Sequence, residues 1–97
     1  MKFVDLANMY KAIGDPTRLK IISLLNTRDC YVSEIVALFD ISQPAISRHL
    51  ARLKQVGLVR ERRHGMWVSY SLNHNLIQEL GISFNELPDF SQELTEI

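Results

Sequence analysis

One cysteine in 97 residues, no net charge and no long apolar run are the first features of this chain. A lone Cys30 cannot close an intrachain disulfide, so a reducing, cytoplasmic setting is expected. No segment approaches the roughly 18 uninterrupted apolar residues that a membrane span requires. The opening "MKFVDLANMY" places Asp5 and Asn8 where a secretory leader needs a continuous apolar core, which predicts no export. A glycine-rich phosphate loop, a Ser/His/Asp arrangement and paired carboxylates are all missing, and with them the usual signatures of an enzyme. Nothing in the residues calls for a cofactor. Repeats, low-complexity tracts and long linkers are also lacking, so residues 1–97 read as one domain.

What is present is unevenly placed. Hydrophobic residues at 46% and charged residues at 23% describe a soluble globular domain. Residues 1–41 balance five Lys/Arg against five Asp/Glu. Residues 42–72 carry six Lys/Arg (Arg48, Arg52, Lys54, Arg60, Arg62 and Arg63) and one acid, Glu61. Residues 73–97 carry five acids and neither Lys nor Arg. A basic centre with an acidic far side suits a polyanion-binding face, although such charge also serves simply to solvate a surface.

The apolar spacing predicts four helices and then two strands. Phe3, Leu6, Ala7, Tyr10 and Ile13 recur at helical intervals up to Gly14. In "GDPTRLKIISLLN", Asp15 is the expected N-cap and Pro16 the first helical residue, where its missing N–H costs nothing. Apolar residues then wrap most of this second helix, which marks it as the central, buried one. Val32, Ile35, Val36 and Phe39 outline a short third helix. A tight turn at Asp40 leads to Ser42, the expected cap of a fourth helix that ends at Gly57. From Leu58 the period changes to two, giving two strands around a turn at His64-Gly65. "NHNLIQEL" predicts a last helix stopped by Gly81. Beyond it Ile82, Phe84, Leu87, Phe90 and Leu94 are apolar enough to pack against something, a second subunit included.

Two helices joined by a three-residue turn and followed by a β-ribbon spell a winged helix-turn-helix. The fold class expected is mainly α with a small antiparallel β-hairpin, in the order ααααββα. On a helical wheel of the fourth helix, Ile46, Leu50 and Leu53 form a buried stripe. Opposite stand Pro44, Arg48, Ala51 and Gln55, flanked by Gln43 and Ser47. A helix that enters the DNA major groove needs small residues where its backbone approaches the bases and a few long donors to reach them. Arg pairs bidentately with guanine and Gln with adenine. Arg60, Arg62, Arg63 and His64 fall where a wing meets phosphates or the minor groove. A winged helix turned into a protein-interaction module would instead show acidic or apolar residues on that helix. RNA recognition would call for exposed stacking aromatics, for which Trp67 and Tyr70 are the candidates.

"GDPTRLKIISLL", "ISQPAISRHLARLKQVGLV" and "RRHGMWVSYSLN" resemble the ArsR/SmtB family of bacterial winged-helix repressors, over about Leu6 to Asn73. The resemblance implies a homodimer built on the first and last helices, binding an inverted-repeat operator in double-stranded DNA. It also implies release by an inducer, most often a metal or metalloid ion. Carried over by position, base contacts fall on Gln43, Ser47 and Arg48. Backbone contacts fall on His49 and the wing residues Arg62, Arg63 and His64, with Ser42 and Arg52 completing the expected interface. His49 has two open readings, a phosphate contact or a packing residue at the edge of the apolar stripe.

The inducer side departs from the family. Its Cys-x-Cys pair, whose soft thiolates bind metals and metalloids, corresponds here to Tyr31-Val32-Ser33. Cys30 stands one residue early and alone. The histidine and carboxylate spacing of the family's other site is missing after residue 73, so no metal site is expected. Cys30 is either a small buried hydrophobe or an unorthodox sensing thiol, with Arg28 near enough in sequence to favour the thiolate. The inducer is left unidentified.

Overall fold

A computed structural model describes residues 1–82, so the expectations for Phe84, Leu87, Phe90 and Leu94 lie outside the described residues. The order is α1 (Phe3–Ile13), α2 (Pro16–Thr27), β1 (Cys30–Tyr31), α3 (Val32–Phe39), α4 (Gln43–Gln55), β2 (Val59–His64), β3 (Trp67–Leu72) and α5 (His74–Glu79). No helix among the described residues is long and apolar enough to cross a membrane.

Local chemistry sets the boundaries. The Asp15 carboxylate accepts the backbone N–H of Arg18 at 3.0 Å and starts α2, with Pro16 in its first turn. Ser42 Oγ accepts the N–H of Ala45 at 3.4 Å and starts α4. Asp40, at φ 50°, takes the left-handed conformation that turns the chain between α3 and α4. Gly57, at φ 83°, ends α4 in a Schellman arrangement. There the N–H of Leu58 reaches the Leu53 carbonyl and that of Gly57 reaches the Lys54 carbonyl, both at 3.0 Å.

The core gathers one stripe from each of several elements. Ile21, Ile22 and Leu25 of α2, Ile35 of α3, Ile46, Leu50 and Leu53 of α4, and Leu58 are almost completely excluded from solvent. Alternation along β3 adds Tyr70 and Leu72, and Ile77 of α5 closes the far end. Asn73 joins the hairpin to the end of α4. Its Nδ2 donates to the Gly57 carbonyl at 3.0 Å, its N–H to the Leu58 carbonyl at 2.9 Å, and its Oδ1 caps α5.

The sheet differs from the two-stranded expectation. It has three strands in the order β1-β3-β2, antiparallel throughout, with Cys30 opposite Tyr70 and Tyr31 opposite Ser69. Two residues are too few to show a period of two, so β1 has no signature in the sequence. The hairpin register runs from Val59 opposite Leu72 to His64 opposite Trp67. That pairing moves the turn to Gly65-Met66, one residue later than expected, with Gly65 supplying a positive φ of 61°.

Candidate nucleic-acid interface

Helix α4 has two unlike sides. Its buried side carries Ile46, Leu50 and Leu53 at 0% exposure. Its outer side exposes Gln43, Pro44, Ser47, Arg48, Ala51 and Gln55. Among the described residues, the side chains of Gln43, Ser47 and Arg48 have no hydrogen-bond or ion-pair partner. Arg52 is half-buried and is turned toward α1. Its guanidinium donates to Gln55 Oε1 at 3.2 Å, and it borders a hollow shared with Asp5, Asn8 and Met9. Ser42 is engaged as the helix cap.

His49 lies between its two expected readings. Its ring is half-buried at the N-terminus of α2, with Nδ1 3.2 Å from an Arg18 guanidinium nitrogen and 3.9 Å from Asp15 Oδ2. The hydrogen bond from the Arg18 backbone, more than any charge, holds the Asp15 carboxyl below its ordinary range.

The hairpin splits the arginines that the sequence places together. Cross-strand pairing puts Glu61 opposite Tyr70 and Arg63 opposite Val68 on one face, and Arg60 opposite Ser71 and Arg62 opposite Ser69 on the other. Arg63 borders a groove of about 580 Å³ between α3, α4 and the hairpin, with Gln43, Ser47, Tyr31 and Trp67 among its walls. Arg62, Arg60 and His64 face a separate hollow with Ser69 and Ser71. His64 Nε2 lies 3.3 Å from Ser69 Oγ. Arg62 and Arg63 therefore sample different sides of whatever the wing meets.

Glu61, the single acid of this basic region, is the organising residue that sequence reasoning did not single out. Tyr70 donates its hydroxyl to Glu61 Oε2 at 2.7 Å, and Lys54 of α4 and Arg63 of the wing each approach the carboxylate to 3.5 Å. The Tyr70 bond, with the two cations behind it, holds the Glu61 carboxyl below its usual range. Burial and the same carboxylate push the Tyr70 hydroxyl up to about 12. The available signal was composition: a lone acid among six cations is well placed to be shared by them.

The third-helix region does not fit the family's thiolate site. Tyr31 and Ser33 supply no soft ligand, and Tyr31 instead packs on Trp67 with ring centroids 5.7 Å apart. Cys30 is buried, and its Sγ approaches the Arg28 carbonyl at 3.7 Å. The expected help from Arg28 is outweighed. Burial pushes the Cys30 thiol up, Glu34 and Asp29 push the same way, and the Arg28 guanidinium is already bound to Glu34 at 2.7 Å. Among the described residues, no three His, Cys, Asp or Glu side chains gather as a metal shell would require.

A helix-turn-helix packed against a β-hairpin, with a bare basic face on its second helix, defines a winged helix-turn-helix DNA-binding regulator. The family model described as "Bacterial regulatory protein, arsR family" matches residues 15–61. The chain is 44% identical over 72 residues to the transcriptional repressor SdpR of Bacillus subtilis (strain 168), covering 74% of this chain and 80% of that one. It is 39% identical over 77 residues to the arsenical resistance operon repressor of Escherichia coli (strain K12), covering 78% of this chain and 66% of that one. A solution structure of the homodimeric winged helix-turn-helix DNA-binding domain of Mb0332 from Mycobacterium bovis superposes with a TM-score of 0.73 at 27% identity, covering 79% of this chain and 72% of that one. The chain belongs to the arsR family, whose members regulate transcription and are not enzymes.

Proposed function

We propose that residues 1–97 form one cytoplasmic winged-helix repressor domain that binds an inverted-repeat operator as a homodimer. The observation that carries this reading is the face of α4, where Gln43, Ser47 and Arg48 are exposed and without partners among the described residues. An arginine that the fold does not use is free to pair with a guanine edge, and Ala51 lets the helix backbone approach the base pairs. Ser42, Arg62, Arg63 and His64 contact the sugar-phosphate backbone in this reading, with His49 at the edge of the contact, whereas Arg52, turned toward α1, is set aside from it.

The dimer reading is supported by α1. Phe3 is 93% exposed and Val4 61%, and Ala7 and Tyr10 continue the same helical stripe. Exposed apolar side chains in that density mark a surface that meets another chain. Tyr10 donates its hydroxyl to the Leu80 carbonyl at 3.4 Å, so α1 and the end of α5 lie side by side.

Burial of Cys30 and its raised thiol disfavour a thiol- or metalloid-responsive reading through that residue. A repressor that acts without the family's Cys-x-Cys chemistry is the reading retained. The deciding experiment is fluorescence anisotropy of the reduced protein on DNA from upstream of its own gene, with and without Zn(II), Cd(II), As(III) or a mild oxidant. Tight binding indifferent to all of these supports the reading. Binding abolished by an ion or oxidant in the wild type but not in Cys30→Ser would replace it with a thiol sensor.

A further inference from the structure

Arg18 lies in the Asp-Pro-Thr-Arg-Leu segment, on α2, which contributes no residue to the DNA-facing set above. Its side chain nevertheless spans three elements. Nε donates to the carbonyl of Ala12 near the end of α1, and a terminal guanidinium nitrogen lies 3.2 Å from His49 Nδ1 on α4. A guanidinium has donors and no acceptor, so Nδ1 must present a lone pair, and the ring then carries its proton on Nε2. Nε2 has no protein partner among the described residues. It also reaches solvent, since no side-chain nitrogen or oxygen there is both buried and unpaired. His49 thus offers one unpartnered, solvent-reaching N–H, next in sequence to Arg48, from a ring held on its other side.

We propose that Arg18 is a positioning residue for DNA binding, fixing the tautomer and orientation of His49 so that Nε2–H donates to a backbone phosphate. The proposal rests on the DNA-binding reading. It assigns His49 both of the readings left open by the sequence, anchored through Nδ1 and contacting through Nε2. It also explains the geometry around Asp15. With Arg18 occupying Nδ1 and its backbone N–H bonded to the Asp15 carboxylate, the nearby acid at 3.9 Å serves as the cap of α2 and Nδ1 is already taken. Without Arg18, Asp15 becomes the natural partner of a protonated Nδ1, the ring adopts the other tautomer, and Nε2 turns from donor to acceptor. An acceptor facing a phosphate repels it.

Nitrogen-15 imidazole spectra of the full chain in mildly alkaline buffer, read beside anisotropy titrations at several salt concentrations, test the proposal. The wild type is expected to show His49 protonated at Nε2, and Arg18→Met to shift it toward Nδ1. Arg18→Met and His49→Leu should each weaken operator binding roughly tenfold. The double variant should be no weaker than either alone, because both remove the same contact. His49→Gln, which keeps an acceptor for Arg18 and an N–H for the phosphate, should recover most of the loss. An unchanged tautomer in Arg18→Met, additive losses in the double variant, or Gln no better than Leu would each overturn the positioning role. The Gln and Leu comparison still decides if Arg18→Met fails to fold. A wild type that binds no DNA would bring down the DNA-binding reading itself, whereas binding with Arg18 and His49 acting independently sinks this proposal alone.

Discussion

The two sides of α4 interleave in sequence and are opposite in physics. Ile46, Leu50 and Leu53 see no solvent and hold the helix to α2, α3 and the hairpin. Gln43, Ser47, Arg48 and Ala51 stand in solvent and contribute little to that hold. The arginines repeat the contrast. Arg18 and Arg28 are tied to His49 and Glu34, and Arg63 lies against Glu61, whereas Arg48 is without a partner among the described residues. A cation already paired supports the fold, and one left free is available to a polyanion. The separation predicts that stability and DNA affinity respond to different residues of one helix.

The sharpest break is at Leu50. Leu50→Ala deletes methyl groups from the centre of the core and should cost about 2–5 kcal/mol of stability, read from urea or thermal unfolding. In a domain this small, that is a large part of the total. Arg48→Ala should leave the unfolding midpoint nearly unmoved while weakening specific binding by about 1–3 kcal/mol and relaxing preference at one base position. An Arg48→Ala protein that unfolds as easily as Leu50→Ala would collapse the distinction between the two sides. An unchanged base preference would remove Arg48 from the readout.

The wing allows a finer comparison. Arg62 and Arg63 are neighbours in sequence, yet they occupy opposite faces of the hairpin, and Arg63 alone lies against Glu61. Arg62→Ala should weaken binding to all sequences alike and reduce the slope of log affinity against log salt by about 1. Arg63→Ala should reduce it less, because Glu61 already offsets part of that charge. Equal slopes for the two variants would show that the ion pair opens when DNA binds.

Most of this division was legible in the sequence because it follows from period and caps. The 46, 50, 53 spacing, the Ser42 cap and the Gly57 stop define α4 and its faces without reference to the rest of the chain. Asp15, Pro16 and Gly81 act equally locally. What escaped was contact between residues distant in sequence. Strand β1 is only Cys30 and Tyr31, and its existence depends on β3, some 40 residues later. The Arg18–His49 contact spans 31 positions. The sharing of Glu61 among Lys54, Arg63 and Tyr70 required the hairpin register to be known, and the same register moved the turn to Gly65-Met66. Arg28 is close to Cys30 in sequence, yet its partner is Glu34, in the first turn of α3.

Glu61 is where the two sides of the comparison meet, and its effect should be the smallest. Its carboxyl is held below the ordinary value of 4.5, first by the Tyr70 hydroxyl and then by Lys54 and Arg63. A carboxyl lowered by folding contributes stability that is present above its unfolded value and is lost as pH falls through the folded one. Glu61→Gln should therefore cost about 1 kcal/mol or less near neutrality, and the gap from the wild type should close as the pH is taken below about 4.5. Urea midpoints for the two proteins across that range check the sign; a gap that stays constant on acidification would mean the carboxylate charge is not what holds the wing to α4. The same substitution frees Lys54 and Arg63 from their shared acid, so binding to non-specific DNA should tighten and its salt dependence should steepen. Lower stability together with stronger non-specific binding would identify Glu61 as the residue that takes cations away from the DNA to fix the wing in place.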